Sequence, residues 1–190
     1  MREEYDFVNR MAVVTELAKK EPGMGRTKLM KYMYLLQTVK SVPLGYHFQL
    51  YIYGPYDPTV LSDLGMAEVW EAVEEKIIFH SNGYGYEIRP AHKAEQLLTR
   101  AKEFLQRHSE AIEWVVENFR RYSAGELELI STMIWADREA KRAKETWTIE
   151  ETLDIVLKIK PLFPPEQAKR IADELTKLGI WQAVQTIFQK

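Results

Sequence analysis

The apolar residues of this 190-residue chain recur every three to four positions over most of its length; a short stretch near 46–53 alternates instead, and 76–89 is centred on an Asn-Gly turn. A period of 3.6 lines up one face of a helix, and a period of two lines up one face of a strand. The chain is therefore expected to be mainly α with a small antiparallel β component. Phe7, Met11, Val14 and Leu17 or Ala18 predict a first helix over 6–20, ended by Pro22-Gly23-Met24-Gly25. Leu29, Met33 and Leu36 predict a second over 27–39, with Lys28, Lys31 and Gln37 outside. Phe48, Leu50 and Ile52 alternate with His47, Gln49, Tyr51 and Tyr53, which predicts a strand over 46–53, and Gly54-Pro55-Tyr56 is expected to turn the chain. Asp57 then caps a third helix, with Pro58 at its first position, where a missing N–H costs nothing. Lys76–Ser81 and Tyr84–Arg89 flank Asn82-Gly83, a hairpin signal that places Ser81 opposite Tyr84.

Helix, helix, strand, helix, hairpin is close to the order of a winged helix, with the hairpin as wing. From residue 91 onward the pattern is helical throughout. Ser123-Ala124-Gly125-Glu126 and Thr148-Ile149-Glu150-Glu151 have the form of capping boxes, Pro164-Pro165 opens a helix, and Gly179 closes it with Leu175 and Ile180 placed for a Schellman contact. A last helix is expected to hold Val184, Ile187 and Phe188. The organisation expected is a winged-helix-like part over 1–90 and a helical extension over 91–190 packed on it, as one continuous globular unit.

Composition narrows the chemistry. The chain has no cysteine, which excludes disulfides, cysteine-ligated metals and cysteine nucleophiles. It also lacks the phosphate-loop, dinucleotide and nucleophile-elbow motifs. Its four histidines fall singly: His47 and His80 on strands, His92 at a helix start and His108 at a helix end, with no pair spaced for a shared metal. Ser131 and Thr132 lie mid-helix, where their hydroxyls are expected to bond carbonyls of the preceding turn. No enzymatic activity, metal or cofactor is expected. No stretch approaches the roughly 18 apolar residues a membrane span needs, and the first residues are acidic, so a cytoplasmic protein without a membrane partner is expected.

Two segments carry a resemblance. Gly25-Arg26-Thr27-Lys28-Leu29-Met30-Lys31-Tyr32-Met33-Tyr34-Leu35-Leu36-Gln37 and Tyr53-Gly54-Pro55-Tyr56-Asp57-Pro58 resemble the helix and Y-G-P turn of the Panacea antitoxin domain, and look closer still to the allied YwgA-like proteins. The likeness covers residues 25 to 58. It implies intracellular binding of a partner, such as a toxin to be neutralised, and no catalytic residues.

The residues themselves offer two binding surfaces. Tyr51 and Tyr53 point away from the apolar side of the predicted strand and Tyr56 follows at the turn; rigid amphipathic tyrosines are typical anchors in protein interfaces. They serve equally well as a flat surface on which later helices dock. Arg26, Lys28 and Lys31, with Lys19 and Lys20, surround the turn before the second helix, whose free N–H groups favour anions. That turn either grips nucleic-acid phosphates or is an ordinary solvated face, and the pI of about 6.1 favours the latter. Basic residues outnumber acidic ones eight to five over 1–40, but acidic residues dominate seven to two over 41–90. The function expected is a non-catalytic protein-binding module, with a winged-helix nucleic-acid binder as the alternative.

Overall fold

Local chemistry sets the helix ends. Asp57 accepts from Thr59 N at 2.8 Å and Pro58 takes the first helical position, so α3 starts there. Thr148 and Glu151 exchange hydrogen bonds as a complete capping box for α7. At Gly179, φ is +65°, and Ile180 N donates to Leu175 O while Gly179 N donates to Thr176 O, closing a Schellman motif over buried Leu175 and Ile180. The structure, a computed structural model, describes residues 2–81, 83–143 and 146–182. The expected helix around Val184, Ile187 and Phe188 and the turn residue Asn82 lie outside them.

Among the described residues there are eight helices and two antiparallel two-stranded sheets: α1 (Arg2–Lys20), α2 (Arg26–Thr38), β1 (Gln49–Tyr51), β2 (Gly54–Tyr56), α3 (Pro58–Val69), β3 (Val73–His80), β4 (Gly83–Pro90), α4 (Ala94–Arg100), α5 (Lys102–Phe119), α6 (Ala124–Ala143), α7 (Ile149–Ile159) and α8 (Pro165–Lys177). The protein is mainly α with a small β component. None of these helices is long and apolar enough to cross a membrane.

The chain gathers into two compact units. The first comprises residues 1–49 and 56–124, and the second residues 50–55 and 125–190. Within the first unit α1 packs on α4 and α5 as well as on α3 and β4. In the first unit Met11, Val14, Leu17 and Ala18 are buried as expected. α2 differs from expectation. Residues 29–36 are all buried, Lys31 included, because α2 packs on α3, α5 and β4 rather than lying on a surface. Gln37 also turns inward, donating to Tyr46 O and accepting from Tyr46 N, both at 2.9 Å.

The strand expected over 46–53 is shorter and differently placed. Buried alternation falls at Val42, Leu44 and Tyr46, in irregular chain that turns at Ser41 and Gly45, both at positive φ, and only Gln49–Tyr51 of this stretch is β. Gly54–Tyr56 is not a turn but the strand paired with β1, and the chain reverses at Ile52-Tyr53.

The β3–β4 hairpin closes at His80↔Gly83, one residue earlier on β3 than the Asn82-Gly83 signal implied. The cause lies outside the hairpin. Met24 forms a bridge to Ile88, with Gly23 N donating to Ile88 O at 2.8 Å and Ile88 N to Met24 O at 2.9 Å. A two-residue loop closes on a hydrogen-bonded pair, and every second residue along β4 then bonds β3. Closing at Gly83 leaves the outward-facing groups of Ile88 to Met24; closing at Tyr84 would spend them on β3.

Candidate functional site

The tyrosine surface is a hairpin tip held on the second unit. Gly54 sits at φ +80°, and a Cβ there would lie 2.9 Å from Thr132 Oγ1 and 3.2 Å from both Glu128 O and Ser131 Oγ. Only glycine permits both that backbone conformation and that approach to α6. The two hydroxyls are fixed in turn, since Ser131 and Thr132 both donate to Glu128 O, at 3.0 and 2.8 Å. Lys160, just past the end of α7 and only 7% exposed, completes the anchor: Nζ donates to the Ile52 carbonyl and to Glu128 Oε1. A buried ammonium requires such partners, because desolvating it alone is costly.

This clamp leaves the loop outside. Tyr51, Ile52 and Tyr53 are 63%, 70% and 66% exposed. Ile52 was expected on the buried side of a strand; as a turn residue it joins the exposed set. Tyr56 is half-buried in the first unit and does not belong with them. The signal for the turn was available in Gly54, the residue that follows the two loop positions.

The basic turn is neutralised within the first unit. Arg26 forms a two-point pair with Glu75, Nε to Oε2 at 2.7 Å and Nη2 to Oε1 at 2.5 Å, and stacks 3.6 Å from the Tyr86 ring centroid. That bond to Glu75 raises the guanidinium pKa further above its ordinary value. Lys28 binds Glu21 at 2.6 Å and the Arg120 carbonyl at 2.9 Å. Lys31 is 2% exposed and out of reach of a phosphate backbone. Lys19 pairs with Glu95, and Lys20 with Glu113. Of the three residues expected to form an outward cluster, Arg26 and Lys28 are thus held by carboxylates of the same unit and Lys31 is buried.

The same holds for the polar residues of α2. Tyr32 donates to Glu21 at 2.5 Å, and burial together with that carboxylate pushes its hydroxyl pKa up. Lys28, Tyr32 and Gln37 thus tie α2 to Glu21, Arg120 and Tyr46. Asp63 is 1% exposed and receives Arg10 and Tyr46, each at 2.7 Å. Burial opposes the charge of Asp57, but the N–H groups of Thr59 and His47 outweigh it and hold the carboxyl below the usual range.

His92 contacts Glu71 at 3.1 Å, and His108 lies mid-helix in α5 rather than at an end, beside Phe104. Burial lowers the His108 pKa, and its Nε2 is buried without a hydrogen-bond partner. Among the described residues no three histidine, aspartate or glutamate side chains gather as metal ligands would. Compared with known proteins, the chain matches no family model and no protein of curated function.

Proposed function

We propose that the protein is a non-catalytic module that binds another protein through Tyr51, Ile52 and Tyr53. One observation carries this reading: three consecutive large side chains, each more than 60% exposed, stand on a loop fixed by buried Lys160 and by the close approach of Gly54. Aromatic anchors held rigid before binding lose little entropy on contact, which is how a few residues dominate an interface. The likeness of residues 25–58 to the Panacea and YwgA-like proteins supports the same reading, since it implies partner binding without catalysis.

The nucleic-acid alternative has one observation in its favour. α1, the Met24 bridge, α2, α3 and β3–β4 follow the order of a winged helix whose first strand is a single residue, with β1–β2 inserted before α3. In that frame α3 reads bases, yet its exposed residues Thr59, Ser62, Met66 and Val69 carry no positive charge, and Glu68 beside them is acidic. Phosphate contacts supply most non-specific affinity for DNA, and neither α3 nor the braced turn offers them.

The test compares wild-type protein with Tyr51→Ala, Ile52→Ser and Tyr53→Ala in binding a partner identified by affinity capture and then purified. Loss of a central anchor costs about 2 kcal/mol, or about thirtyfold in Kd. Undiminished binding by all three variants refutes the proposal. So does a wild-type protein that shifts duplex DNA at sub-micromolar concentration and moderate salt.

A further inference from the structure

The β3–β4 hairpin leaves one strand edge open. Ile88 turns its N–H and carbonyl away from β3, to Met24 and Gly23, so Glu75 across the hairpin also points its backbone groups outward. Ile77 and Phe79 follow at the same period, on the side of β3 away from β4. At Glu75 that edge is closed, since its N–H donates to Glu68 Oε1 of α3 at 3.4 Å. At Ile77 and Phe79 the outward N–H and carbonyl groups have no partner among the described residues. Their side chains are 53% and 82% exposed, and Tyr84, directly across from Phe79, is 64% exposed. Open strand edges are ordinarily blunted by a charge, a proline or a bulge, and Ile77-Ile78-Phe79 carries none of these.

We infer that the open edge of β3 pairs antiparallel with the same edge of a second copy of the chain, about a two-fold axis at Ile78. In that register Ile77 meets Phe79 of the copy and Phe79 meets its Ile77, and the exchanged hydrogen bonds take up the groups that lack partners. Each is an aromatic–β-branched pair, a favourable cross-strand neighbour. The surrounding charges fit the same axis: Lys76 falls opposite His80 and Glu75 opposite Ser81, so at neutral pH no charge faces its own kind. An axis at Lys76 would oppose two ammonium groups, and one at Ile77 would set Glu75, already paired with Arg26, against Phe79. Val69 of α3, next to Glu68 and 72% exposed, flanks the edge. The exposed parts of Ile77, Phe79 and Val69 amount to roughly 300–400 Å² per copy. At the usual apolar share of about 57%, the two copies would bury about 1,100–1,400 Å² in all. That reaches the lower range of specific interfaces and implies a micromolar rather than a permanent dimer. This edge belongs to the first unit and Tyr51–Tyr53 to the second, so the inference stands apart from the protein-binding reading.

The chain has no cysteine, so single cysteines introduced into the full chain read the register. In Ile78→Cys the two Cα atoms would lie about 4.5 Å apart across the axis, the spacing of a non-hydrogen-bonded pair and within disulfide reach. In Lys76→Cys they would lie about 14 Å apart, beyond it. In a glutathione redox buffer at about 200 µM protein, Ile78→Cys should run mainly as a disulfide-linked dimer and Lys76→Cys roughly tenfold less so. Adding Phe79→Pro to Ile78→Cys removes an outward N–H without breaking a β3–β4 bond, and should cut the cross-link about tenfold. The unaltered chain supplies a second readout that needs no variant to fold, amide hydrogen exchange compared at about 20 µM and about 1 mM. The Ile77 and Phe79 amides should slow about fivefold or more at the higher concentration, whereas those of Lys76 and Ile78, bonded to β4, should change little. Equal cross-linking of the two cysteine variants, or exchange at Ile77 and Phe79 that ignores concentration, overturns the inference. So does a dimer seen by ultracentrifugation in which these two amides stay open, which would put the contact on another face. Protection that appears only when a different protein is added overturns it as well.

Discussion

Replacing Gly54 with alanine tests the clamp that fixes the hairpin tip. At φ +80° an L side chain costs about 1–2 kcal/mol. The added methyl would also meet Thr132 Oγ1 at 2.9 Å, and this hydroxyl cannot swing away without losing its bond to Glu128 O. The other two neighbours, Glu128 O and Ser131 Oγ at 3.2 Å, are a helix carbonyl and a second bonded hydroxyl. Overpacking of this kind costs about 1–3 kcal/mol. Alanine lowers the entropy of the unfolded chain, which offsets about 0.4–1 kcal/mol. The net expectation is a loss of about 2–4 kcal/mol. Urea denaturation gives the value from the midpoint shift at constant slope, and hydrogen exchange of α6 and α7 amides reads the second unit on its own. In the Gly54→Ala background, Thr132→Ala should recover about 1 kcal/mol by removing the nearest atom. A Gly54→Ala loss below about 0.5 kcal/mol, or no recovery from Thr132→Ala, would refute the close approach.

Three further outcomes follow from the same geometry. Lys160→Met leaves the Glu128 carboxylate without its partner and should cost about 2–4 kcal/mol by denaturation, while Lys160→Met with Glu128→Leu should cost less than the single change, because no charge is stranded. Asp57→Ala removes the α3 cap and the acceptor for His47 N, a loss of about 1–3 kcal/mol at neutral pH. Because the folded Asp57 pKa lies below its unfolded value, its stabilisation is full above the ordinary carboxyl range and fades as pH falls through the folded pKa, so wild type and variant should converge in acid. His108 has a folded pKa lowered by burial, so the unfolded state takes up the proton first; stability should fall as pH drops below the usual imidazole range, and His108→Leu should flatten that part of the pH–stability curve.

What the sequence disclosed depended on how local the cause was. Asp57-Pro58, Thr148 with Glu151, and Gly179 with Ile180 act within one turn of helix, and each appears where the residues imply it. The β3–β4 register failed because Ile88 is claimed by Met24, far away in sequence and absent from any turn signal. Lys31 failed because an amphipathic reading assumes a helix with a wet side, and α2 is covered all round over 29–36. The basic turn was legible as a cluster of charge but not as a set of ion pairs, since Glu75, Glu95 and Glu113 arrive from β3, α4 and α5. Of the proposed anchor, Tyr51 and Tyr53 were visible as candidates. Ile52 became one only when Lys160 was seen to hold its carbonyl.

The second unit is stitched from two stretches of chain, residues 50–55 and everything after Ala124, and this orders its assembly on the ribosome. Ile52 is made 108 residues before the lysine that secures it. At about 5–20 residues per second, the tip with its two tyrosines and isoleucine waits roughly 5–20 s in a nascent chain before its seat exists.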